Sequence, residues 1–183
     1  DRIVINRYNA GSRSDPGIWP VNWNRTFRLA PAGEGPPRGA VLLLHGLTDS
    51  PYSLRSIGEH LAARGFEVLG LRLPGHGTAP SGLLSFEIED MQAAVRLAMR
   101  DLRAQGGPDR PLMIVGYSNG AALAVDYTLA ALDDASLPRP AGLVLISPAI
   151  GVSKLAVVGR VKTGLSSVPG FERAAWEVIG TEF

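Results

Sequence analysis

The chain has no cysteine in its 183 residues. Disulfides, thiolate zinc sites and a cysteine nucleophile are thereby excluded, while either redox compartment stays open. Strong charge of either sign is also missing. The formal net charge is +1, and no basic stripe gathers on one segment, which argues against a nucleic-acid partner. The uncharged apolar runs are too short to span a bilayer. Histidine is scarce: there are three, and the last is His76. His45, Asp49 and His76 lack recognisable ligand spacing, so no metal is expected. Neither Gly75-His76-Gly77 nor Gly33-Glu34-Gly35 completes a phosphate or dinucleotide fingerprint, so no cofactor is expected. The chain starts at Asp1 without a signal-peptide pattern, which reads as something having been removed upstream.

What remains suits one domain with a real core. Hydrophobic residues make up 45% and charged residues 19%, a balance that supports burial and argues against disorder. Arg2-Ile3-Val4-Ile5 reads as a short strand, residues 10–24 as a loop pinned by Trp19 and Trp23, and residues 26–29 as an alternating edge strand. From residue 40 the pattern changes. Four short apolar runs, at 40–44, 66–71, 111–117 and 143–146, read as buried strands of a parallel sheet. Helical stretches separate them. One presents Leu54, Ile57, Leu61 and Ala62 on a single face and stops at Arg64-Gly65. The next has Ser85 as its expected N-cap, acidic residues in its first turn, and Ile88, Met91, Val95, Met99 and Leu102 at helical spacing. Strand and helix alternate, which predicts an α/β fold, a mostly parallel sheet with helices on both faces.

The third strand, Leu112-Met113-Ile114-Val115, runs into Gly116-Tyr117-Ser118-Asn119-Gly120 and then a helical run from Ala121. Strand, tight turn and helix with serine at the apex make a nucleophile elbow. The turn lifts the hydroxyl clear of the sheet, and the helix start aims N–H groups at a developing oxyanion. Ser118 is therefore the expected nucleophile and the Asn119 N–H an expected oxyanion donor. The loop His45-Gly46-Leu47 after the first buried strand supplies the second expected donor, the backbone N–H of Leu47. His45 and His76 are expected to brace loops rather than act as the base, and His60 falls off its helix's apolar face.

These pieces in this order resemble the α/β-hydrolase superfamily: His45-Gly46-Leu47, then Arg72-Leu73-Pro74-Gly75-His76-Gly77, the elbow, and a strand into Ser147-Pro148. Within it the chain is most similar to bacterial carboxylesterases and to monoacylglycerol-lipase or lysophospholipase-like enzymes. The resemblance is strong over residues 40–150. It implies a serine hydrolase that cleaves carboxylic esters, lipid-like ones among them, through an acyl-enzyme on Ser118. It also implies an acid and a histidine after later strands. No histidine follows Ser118, and no carboxylate follows Ser147-Pro148 until Glu172. Residues 1–150 are thus expected to be the N-terminal part of the core, incomplete at its C-terminal side, and residues 151–183 to begin a helical lid broken at Pro169-Gly170. The missing groups are expected on a companion polypeptide or on further sequence, leaving this chain alone inactive. The alternative is a non-catalytic binding or interaction protein of the same fold.

Overall fold

The computed structural model describes residues 16–150 except 19, 23, 79 and 85. The strand expected at 2–5, Trp19, Trp23, Ser85 and the lid segment 151–183 lie outside the described residues. The chain groups into two compact units, Asp1–Pro148 and Ala149–Phe183, and the sheet belongs to the first.

Five strands form it: β1 (Phe27–Leu29), β2 (Gly39–Leu44), β3 (Phe66–Leu71), β4 (Leu112–Tyr117) and β5 (Gly142–Ile146), in the order β1-β3-β2-β4-β5. Among the described residues only β1 runs antiparallel, pairing Phe27 with Gly70 and Leu29 with Val68. The three other pairings are parallel. Three long helices connect the strands: α1 (Arg55–Ala62), α2 (Ile88–Gly106) and α3 (Asn119–Asp133).

Strand alternation sorts β2 onto two cores. Ala40, Leu42 and Leu44 pack with Met91, Val95, Met99 and Leu102 of α2 and Leu123 and Ala124 of α3. Val41 and Leu43 face the opposite way, toward Leu54, Ala62, Val68 and Val115. All six residues of β2 are buried. That explains why its sequence is continuously apolar rather than alternating. The expected α/β architecture, with helices on both faces, is the observed one.

Three local expectations need correction. α2 is capped by Glu87, not Ser85: Glu87 and Asp90 form a reciprocal capping box, with the Glu87 N–H donating to Asp90 Oδ2 at 3.1 Å. Two acidic side chains three residues apart satisfy the orphan N–H groups of the helix start. Ile88, assigned to the buried face, is 47% exposed because it opens the helix before α2 reaches the core. And β5 is not buried like the other strands. Val144 is 45% and Leu145 38% exposed, since among the described residues β5 pairs with β4 alone.

Candidate active site

The elbow is built by close approach. Ser118 is the N-cap of α3 with φ +51° and ψ −114°, a conformation that costs a non-glycine residue on the order of 1–3 kcal/mol. Its own N–H donates to the Ile146 carbonyl at 2.9 Å, and its carbonyl accepts from the N–H groups of Ala121 and Ala122. The glycines on either side leave no room for a side chain. A Cβ on Gly116 would stand 2.5 Å from Ala121 Cα, and one on Gly120 would overlap the Leu44 carbonyl. The turn can therefore press α3 against both β4 and the end of β2. Asn119 opens α3, so its N–H belongs to the first helical turn, whose donors have no partner within the helix.

The His45-Gly46-Leu47 loop, leaving β2, lies beside the serine. A Cβ on Gly46 would be 3.6 Å from Ser118 Cβ and in tight contact with the Tyr117 ring, at 3.1 Å. Three of the predicted residues, Leu47, Ser118 and Asn119, thus come together at the carboxyl ends of β2 and β4. In open α/β sheets this is where ligands bind.

His45 is fully buried. The Leu73 N–H donates to its Nε2 at 3.1 Å, which leaves the ring proton on Nδ1, and Nδ1–H donates to the Gly46 carbonyl at 2.8 Å. Burial pushes its pKa down to about 4, against a smaller raising effect of the Gly46 carbonyl. The ring is neutral at pH 7 with both nitrogens engaged, so no lone pair is left to take a proton from Ser118. His76, 3% exposed, points Nδ1 at the Pro74 carbonyl (2.7 Å) and Nε2 at the Leu47 carbonyl (2.5 Å). The two imidazoles lie 5.0 Å apart. His60 is exposed on α1, with Nδ1 facing the Ser56 carbonyl at 2.8 Å.

Two features escape sequence reasoning. The Leu73 N–H that fixes the His45 tautomer is a backbone group, invisible to any residue-type pattern. The Asn119 amide, which lies 3.6 Å from Met91 Sδ and donates to it, joins residues 28 positions apart. Among the described residues no cluster of three or more His, Cys, Asp or Glu could hold a metal ion, and no helix is long and apolar enough to cross a membrane.

The chain is similar to several known proteins. The chain is 31% identical over 116 residues to a thermostable monoacylglycerol lipase of Bacillus sp. (strain H-257), covering 63% of this chain and 43% of the lipase. It is 32% identical over 143 residues to the magnesium-chelatase 30 kDa subunit of Rhodobacter capsulatus, covering 70% and 46%. A solved structure from the work on LipS and LipT, two metagenome-derived lipolytic enzymes, superposes with a TM-score of 0.62 at 28% identity. It covers 81% of this chain and 53% of that one. The chain thus spans about half of each of these proteins. Over residues 35–175, well over half of its length, the sequence matches Hydrolase_4, the family described as serine aminopeptidase, S33, and it belongs to that family.

Proposed function

We propose that the protein is a serine hydrolase of carboxylic esters, with Ser118 as nucleophile. The observation that carries this is the backbone of Ser118. A non-glycine residue is held at φ +51° at the head of α3, against a loop from β2, and strain of this kind concentrates at functional sites. Ser118 Oγ attacks the ester carbonyl and its proton passes to a base. The oxyanion is held by the N–H groups of Leu47 and Asn119, and the ester C–O bond breaks as the alcohol leaves with a proton. Water then hydrolyses the acyl-enzyme and regenerates Ser118.

The base and its acid partner belong to sequence outside this chain. Neither imidazole of the core suits the role, and no histidine follows Ser118. The apolar edge of β5 supports the same reading, because further strands would cover Val144 and Leu145. The described residues then form the N-terminal part of the core, and residues 1–183 alone are inactive. Exposed apolar side chains at the carboxyl ends of two strands, Leu47 in the loop after β2 and Tyr117 closing β4, favour an ester with an apolar acyl chain.

The test is hydrolysis of esters of graded acyl length by the whole natural polypeptide and its Ser118→Ala variant. The expected result is activity that falls about 10⁶-fold in the variant. Equal activity in both would remove Ser118 from the chemistry. An intact mass of 19.3 kDa for a fully active species would remove the need for further sequence. A second reading, a non-catalytic binding protein of the same fold, is favoured by the absent histidine and by the similarity to a chelatase subunit. It predicts no ester turnover in the whole polypeptide.

A further inference from the structure

The two buried histidines act on consecutive peptide groups. His45 Nδ1–H donates to the Gly46 carbonyl at 2.8 Å, and His76 Nε2 lies 2.5 Å from the Leu47 carbonyl. A peptide group is planar and trans, so the Gly46 carbonyl and the Leu47 N–H point in opposite directions within one plane. Holding the first aims the second. His76 holds the next plane, which contains the Leu47 carbonyl and the Thr48 N–H. With both planes fixed, φ and ψ of Leu47 have little freedom left.

Side-chain packing does not provide this restraint, because the Leu47 side chain is 45% exposed. The hydrogen bond from His45 Nδ1–H, and that from His76 with its ring proton on Nε2, facing the Leu47 carbonyl, tie this loop down. The His76 ring is itself confined. Gly75 and Gly77 flank it at φ +76° and +70°, and a Cβ on Gly75 would come 2.5 Å from the Gly82 carbonyl. The rings of His45 and Phe86 stand 5.0 and 5.6 Å from it.

We propose that His76 is a positioning residue for the oxyanion hole: by pinning the Leu47–Thr48 peptide while His45 pins Gly46–Leu47, it keeps the Leu47 N–H aimed at the reacting carbonyl before substrate arrives. The proposal rests on the reading of Ser118 and Leu47 given above. It differs from a role in the Pro74-Gly75-His76-Gly77 turn alone, for which the Nδ1 contact with Pro74 would suffice.

Two variants of the whole polypeptide separate these roles. His76→Gln places an amide N–H near the position of Nε2 and can still reach Leu47. His76→Asn places one near Nδ1 and reaches only Pro74. Losing an oxyanion donor costs about 10²–10³ in kcat, so a donor left in place but loosened should lose about 10–100-fold. His76→Asn should show that loss with KM changed less than about threefold, while His76→Gln recovers most of kcat. Amide hydrogen exchange at Leu47 and Thr48 should quicken in His76→Asn and stay near wild type in His76→Gln. Near-ultraviolet circular dichroism checks that both are folded. Equal kcat in the two variants, or unchanged exchange in His76→Asn, overturns the proposal. The exchange contrast measured again in a Ser118→Ala background reads the clamp independently of catalysis, so failure of the nucleophile reading shows separately, as activity retained by Ser118→Ala.

Discussion

Gly120 lies where α3 passes closest to the end of β2, and a Cβ there would meet the carbonyls of both Leu44 and His45. Gly120→Ala should therefore destabilise by about 1–3 kcal/mol through overpacking, visible as a lower midpoint in urea. The elbow would also be pushed off β2, so activity should fall more than stability. His45 makes a different prediction. Its folded pKa, about 4, lies below the ordinary 6.5, so the unfolded chain takes up the proton first as pH falls. Stability tied to the neutral ring is complete above about pH 6.5 and drains away toward pH 4, by up to about 3 kcal/mol. Thermal melts of wild type and His45→Asn across that window should show a lower melting point for the variant at pH 7 and a shallower decline below it. At this scale the sequence revealed a good deal. Ser118, Asn119, Leu47, His45 and His76 stand out from residue type and motif spacing, and the structure brings all five to one region. What stayed hidden were the partners that are backbone atoms, such as the Leu73 N–H and the Leu47 carbonyl, because every residue carries the same ones.

The strands were legible because burial on both faces removes polar residues. β3 occupies the same residues, 66–71, that its apolar run marks, and β2 starts one position earlier than its run. The weaker points were element ends and edges. The start of α2 depends on which side chain satisfies the orphan N–H groups, and Glu87 with Asp90 does so. Asp90→Ala should therefore cost about 1 kcal/mol, measurable by urea unfolding. The edge strand β1 is only three residues long, and it is fastened by charge as well as by pairing. Arg28 bonds Glu67 on β3 at 2.8 Å and also Asp101 on α2, while Arg110 shares the same Glu67. Sequence patterning placed β1 but gave no sign of this network, whose members are spread over 82 positions from Arg28 to Arg110.

Across the whole molecule, the sheet is well covered through β2, β3 and β4 and open at β5. The sequence of β5 is as apolar as that of its neighbours, so pattern alone reads it as buried. Its exposure here reflects the lack of a strand beyond it among the described residues. Residues 1–183 expressed alone should self-associate through this edge. Val144→Lys should reduce the association without lowering the melting point, as read by light scattering and thermal melts. The same openness fits the chemistry. This chain carries the proposed nucleophile and both proposed oxyanion donors, and the proposed function assigns the base and acid to residues other than its histidines.

The most direct test of the central claim is to treat the whole natural polypeptide with a serine-reactive phosphonate and locate the adduct by peptide mass spectrometry. The account predicts a single adduct on Ser118, loss of ester hydrolysis in proportion to labelling, and no adduct in Ser118→Ala. A fully active protein left unlabelled at Ser118, or an adduct on another serine that alone abolishes activity, would contradict it.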